Sequence, residues 1–203
     1  MKKLENRQKK VYSFVDRKIQ ALLNSENESY FRASLAKLRR GIGKKPGNQP
    51  ELWAYTLEEL PDDLNSRTGE PTRAQWAIHL AMTLFAIHQQ AKDRKGSPMS
   101  VQGKRIGGAV RRFTMKNPLA EEAVKRRFDA AVTSETVEEL ARHLRSLIQI
   151  LKSEGIPLDY PLLAVDLYKF QDPDKRDDVR LLWGQSYYSE KREEEENEQK
   201  TIH

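Results

Sequence analysis

The sequence predicts an all-α protein made of two small packed helical bundles, about eight to nine helices in all, with a disordered acidic C-terminal tail. Three observations predict it. Apolar residues recur three and four positions apart in every long segment, and none alternates with the period of two that a half-buried strand requires. Helix-starting residues (Thr72 with Gln75, Asn117-Pro118, Asp172-Pro173) and helix-stopping glycines (Gly41, Gly155) punctuate those segments at helical lengths. No internal repeat at fixed period is present.

Residues 4–23 carry Leu4, Val11, Phe14, Val15, Ile19, Leu22 and Leu23 on one face of an amphipathic helix with a basic outer side. After a break at 24–27, a helix near 28–41 places Phe31, Leu35, Leu38 and Ile42 in one stripe, flanked by Arg32 and Arg39. A Gly/Pro-rich loop with Lys44 and Lys45 follows, then one or two helical turns between Pro50 and Leu60, then a loop over 61–69. Thr72 and Gln75 fit a capping box for a helix running to about Ala91, with Ala74, Ala77, Ile78, Ala81, Leu84, Phe85 and His88 inward. The basic segment 92–98 is the expected linker between a bundle over 1–91 and a second over 99–188. That second bundle is expected to hold helices over Met99–Phe113 and from Asn117 to about Ala131. A longer one, capped by Thr133 or Ser134, runs to Lys152, followed by Tyr160–Phe170 and Pro173 to about Tyr187. Residues 189–203 read as the disordered tail.

The 203 residues suffice for a real core, although 37% apolar and 33% charged content suits an exposed helical protein. The net charge of +6 conceals a segregation: residues 190–203 hold six acids and three bases, so the preceding residues carry +9. A basic body with an acidic tail suits a polyanionic partner. The absence of cysteine excludes disulfides, zinc–thiolate sites and cysteine nucleophiles. No apolar run matches a signal peptide or membrane span, so a cytoplasmic protein without membrane contact is expected.

The catalytic patterns that the sequence approaches are all incomplete. Gly41-x-Gly43-x-x-Pro46 lacks the third glycine of a dinucleotide fingerprint and follows a helix rather than a strand. Gly103-Lys104 resembles the end of a phosphate loop, but Arg105 stands where a magnesium-binding hydroxyl is needed; close helix approach is the better use of Gly103 and Gly107. His79, His88, His143 and His203 include no i,i+4 pair for a metal. The carboxylates of Asp172, Asp174, Asp177 and Asp178 suit a helix N-terminus without any metal. The expectation is a non-enzyme with no cofactor and no metal.

What remains is basic surface. Between Arg32 and Gln49 there are six bases and no acid; from Lys92 to Arg127 eleven bases face three acids. Arginines beside an apolar rim (Arg32, Arg39, Arg142, Arg145) pair bidentately with phosphate while their stems pack on protein. If the helices bring these segments together, the product is a groove that tracks a nucleic-acid backbone with little base reading.

Several ordered stretches also resemble the CasB family, the small subunit of the type I-E CRISPR Cascade complex. They are Arg32–Gly41 with Pro50-Glu-Leu-Trp53, Ile78–Gln90, Gly107–Phe113, Arg142–Ile148, Ile156–Tyr160, Leu162–Phe170 and Val179–Trp183. The resemblance spans roughly residues 10–188. It implies a non-enzymatic subunit present as two copies head to tail, contacting the backbone and large subunits, the crRNA and the target DNA. It implies a positively charged path for the displaced non-target strand, and stabilisation of the R-loop. Carried onto this chain, it offers Arg32, Lys37, Arg39, Arg40, Arg111, Arg112, Arg142 and Arg145. The basic segments add Lys44, Lys104, Arg105, Arg126 and Arg127 as candidate nucleic-acid contacts. The alternative is a free-standing helical nucleic-acid-binding protein such as a DNA-binding regulator.

Overall fold

A computed structural model describes the backbone of residues 5–201 and the side chains of residues 5–190. Among the described residues there are nine α-helices and no strand. They are α1 (Asn6–Leu23), α2 (Glu28–Arg40), α3 (Trp53–Thr56), α4 (Arg73–Gln89), α5 (Ile106–Lys116), α6 (Glu121–Val132), α7 (Val137–Ser153), α8 (Tyr160–Phe170) and α9 (Pro173–Thr201). Single 3₁₀ turns lie at Pro50–Leu52, Asp62–Leu64 and Pro118–Ala120. The expected disordered tail falls largely on side chains outside the described residues.

Helix α4 is the axis of the fold. Every side chain from Ala77 to Gln89 is buried, so the single inward stripe expected of it is in fact a surface buried all round, polar at His79, Thr83, His88 and Gln89, as suits a central helix. Helices α1, α2, α7 and α8 pack around it, and α8 also contacts α1 and α9. The buried residues of all these helices join in one cluster. The capping box forms as the spacing predicts: the Gln75 N–H donates to Thr72 Oγ1 at 3.2 Å, and the Thr72 N–H to Gln75 Oε1 at 2.9 Å.

Three local expectations are corrected. The helix expected over Met99–Phe113 begins only at Ile106. Residues 99–105 instead run beside Leu158: the Leu158 N–H donates to the Met99 carbonyl (3.1 Å) and the Val101 N–H to the Leu158 carbonyl (2.8 Å). Gly103 then turns at φ +80, its N–H donating to the Asp159 carboxylate at 2.8 Å. Gly103 is therefore a turn residue. Gly107 does serve close approach, since a Cβ there would collide with the Trp183 carbonyl oxygen of α9. The cap of α7 is Thr136, whose hydroxyl accepts from the Glu139 N–H at 3.2 Å. Thr133 and Ser134 turn their hydroxyls back onto carbonyls of α6, Asp129 and Ala130, both at 2.9 Å.

Candidate nucleic-acid interface

The basic residues divide into two groups that the sequence does not separate. In the first, the cation is already neutralised by a carboxylate of the same chain. Arg105 donates to the buried carboxylate of Asp166 at 3.0 and 3.3 Å, beside the Trp183 indole N–H at 2.8 Å. Arg111 pairs with Glu121 at 2.8 Å. Arg112 pairs with Glu190, which belongs to the expected tail. Arg40 makes a two-pronged contact with Glu51, Nε–Oε1 at 2.8 Å and Nη2–Oε2 at 2.5 Å. Arg32 bonds Glu28 at 2.7 Å and Arg126 lies 3.4 Å from Glu122, both exposed one-turn pairs on their own helices. Such exposed pairs are worth at most about 1 kcal/mol, so Arg32 exchanges readily to another anion.

In the second group no carboxylate partner exists among the described residues: Lys37, Arg39, Lys44, Lys104, Arg127, Arg142 and Arg145. Arg39, Lys44, Arg142 and Arg145 among them border two of three depressions. A groove of about 800 Å³ between α2 and the segment after α4 is lined by Arg32, Arg39, Lys92 and Lys95, among others. Arg94 closes its wall: the guanidinium lies 5.1 Å from the Phe31 ring centre and 3.4 Å from Glu28. A second depression continues from Gln90 and Lys92 to Gln149 and Lys152 of α7. The third brings Lys44 from the loop after α2 against Arg142 and Arg145.

Helix α7 links the second and third depressions, and Gln90, Ala91 and Lys92 line both the first and the second. Arg142, Arg145, Gln149 and Lys152 fall within about 80° of one another at 100° per residue, and the ten-residue span is about 15 Å long. The same stripe starts at Glu138, so its negative end lies away from the lysine end. The Lys152 ammonium is held below its ordinary range, first by partial burial and then by the repulsion of Arg39 and Lys92. Like charges are thus gathered at one place, and an anion there relieves the repulsion.

The loop carrying Lys44 is fixed from below. His79 of α4 donates from Nε2 to the Gly41 carbonyl at 2.9 Å, and burial pushes the imidazole pKa down, so the ring is neutral. Gly41 sits so close to Leu52, Thr83 and His79 that a Cβ would collide with Leu52. The candidates Lys104, Arg126 and Arg127 line none of these three depressions; Lys104 instead borders a small crevice with Arg105 and Asp166. Sequence reasoning counted Lys92 only within its basic segment and passed over Lys152. Lys152 was legible as the next member of the Arg142–Arg145 stripe, ten and seven residues on.

Among the described residues no group of three or more His, Asp or Glu is placed to hold a metal ion. None of the described helices is long and apolar enough to cross a membrane. The family model for the CRISPR-associated protein Cse2 matches residues 34–188. The chain belongs to the Cse2 family. It is similar to CasB from Thermobifida fusca, with 32% identity, a TM-score of 0.72, and coverage of 88% of this chain and 97% of that one. The fold is also that of a Cse2-family protein from Thermus thermophilus, at 19% identity and a TM-score of 0.63, covering 90% and 97% of the two chains. CasB of M. ruber shares it at 19% identity and a TM-score of 0.64, covering 90% and 96%. No curated protein matches the sequence. As a Cse2/CasB protein the chain is a CRISPR-associated Cascade subunit of the structural kind, and its all-α fold is that of its family.

Proposed function

We propose that this Cascade subunit is non-catalytic and holds the displaced non-target DNA strand by its backbone, thereby stabilising the R-loop. The observation that carries this reading is the convergence of Arg39, Lys44, Lys92, Arg142, Arg145 and Lys152 from separate stretches of chain. None has a carboxylate partner among the described residues, and the cations at Lys152 already repel one another. R-loop formation is nearly balanced energetically, so a few phosphate contacts to the displaced strand are enough to tip it. Backbone contacts of this type place a strand without reading its sequence. The crRNA, the backbone and large subunits and a second copy arranged head to tail complete the proposed set of partners. The internally paired arginines, Arg105, Arg111 and Arg112, then belong to the fold.

The test is the salt dependence of single-stranded DNA binding. Each phosphate contact removed lowers the slope of log K against log salt by about 0.7 for a single strand. Replacing Arg39, Arg142 and Arg145 by alanine is expected to lower it by roughly 2 in total. An unchanged slope in that triple variant overturns the reading.

A further inference from the structure

The third depression differs from the other two. It encloses about 230 Å³ and is walled by α4, α7 and the loop after α2. Its floor is apolar: Leu80, Thr83 and Leu84 are themselves buried, and the Thr83 hydroxyl is committed to the Leu80 carbonyl at 3.1 Å. Trp76 and Ala141, both half-buried, complete the walls. The rim is charged, with Lys44 on one side and Arg142 and Arg145 on α7. A surface serving only phosphates has no need of an indole and a leucine floor beneath its cations. The volume lies under the roughly 300 Å³ at which cavities for drug-sized ligands begin, which suits a single planar ring system.

We propose that this cavity takes one unstacked nucleobase of the bound strand, stacked on Trp76 over Leu80 and Leu84, with the adjoining phosphate held by Lys44, Arg142 and Arg145. The inference rests on the backbone-binding reading above and adds a base site to it. Every base has a π-face, so an indole platform of this kind accepts any base while anchoring the strand in register. Charge complementarity decides the occupant. Three cations on the rim against the single carboxylate of Glu138 favour a nucleotide over an apolar side chain of a protein partner. Glu138 precedes Arg142 and Arg145 by four and seven residues on the same stripe, so the phosphate lies toward Arg145. The neutral His79 beneath Gly41 keeps the Lys44 loop in place as the far wall.

The test uses the indole as reporter. Trp183 is buried at 1% exposure and Trp53 is 47% exposed, so the full chain carrying Trp53→Phe leaves Trp76 as the quenchable tryptophan. It is titrated with a short single-stranded DNA oligonucleotide and with an abasic strand of equal length and charge. The expected result is quenching by the base-bearing strand alone, with affinity about fivefold or more above that of the abasic strand. Ala141→Leu fills the cavity without removing a rim cation, and is expected to bring the two strands to equal affinity while the salt slope stays unchanged. Equal binding of both strands with a silent Trp76 overturns the base site and leaves backbone binding standing; a partner's side chain in the cavity would give that pattern. Absence of any salt-dependent binding to either strand overturns both.

Discussion

Replacing Arg105 by alanine separates an arginine of the fold from one of the interface. The Asp166 carboxylate is almost wholly buried, with 5% of its side chain exposed, and its neighbours are the Arg105 guanidinium and the Trp183 indole N–H. Burial pushes its pKa up, and the Arg105 charge opposes that rise. Removing one member of a buried pair leaves an uncompensated charge, at a cost of roughly 3–5 kcal/mol. Arg105 is itself 27% exposed, which places the expected loss near the lower end, about 3 kcal/mol. For a chain of this length that is a fall in Tm of roughly 10 °C. The sign with pH follows from linkage. A carboxyl whose folded pKa lies above its unfolded value contributes stability at low pH that is lost as pH rises through the folded pKa. Without Arg105 that pKa rises further, so the gap between variant and parent widens from the carboxylate range at about pH 4 toward neutrality. Urea unfolding of the isolated subunit at several pH values measures it. Adding Asp166→Asn to Arg105→Ala is expected to recover part of the loss, because a neutral amide oxygen still accepts from Trp183. A loss under about 1 kcal/mol, or one that does not change with pH, refutes the reasoning.

Other expectations follow from single sites. Gly107→Ala drives a methyl into the backbone of α9 and is expected to cost about 1–3 kcal/mol in denaturant unfolding. Gly184→Ala on α9 meets open space and is expected to gain up to about 1 kcal/mol from helix propensity alone. Burial holds the His88 imidazole, bonded to the Tyr160 hydroxyl at 2.9 Å, down at about 3 against an ordinary 6.5. The unfolded chain therefore takes up the proton first, and stability falls as pH drops below 6.5, by roughly 2 kcal/mol on reaching pH 5. His88→Gln is expected to flatten that limb in a pH series of thermal melts. Thr136→Ala removes the acceptor at the start of α7 and is expected to cost about 1 kcal/mol in thermal unfolding.

The helices were legible in the sequence where a start was signalled, as at Thr72 with Gln75 or Asp172-Pro173. They were misread where tertiary hydrogen bonds took the backbone. Residues 99–105 carry a plausible helical pattern, yet Leu158 and Asp159 claim their donors and acceptors from more than fifty residues away. The same limit governs the interface. Composition located the basic segments, and the spacing of Arg142 and Arg145 identified the α7 stripe. Which arginines were already neutralised was hidden, because Glu51, Glu121, Asp166 and Glu190 reach them through the fold. Arg111 and Arg112 look like strand contacts in one dimension and are internal ion pairs in three.

The most direct test of the central claim is R-loop formation by the assembled complex carrying one of two charge-matched triple variants. Arg39→Glu, Arg142→Glu and Arg145→Glu reverse cations on the converged face. Lys116→Glu, Arg126→Glu and Arg127→Glu reverse as many exposed cations that line none of its depressions. The account predicts that the first set sharply weakens R-loop formation and loses protection of the displaced strand from a single-strand nuclease, while the second behaves as the parent. Equal loss in both sets, or none in the first, contradicts it.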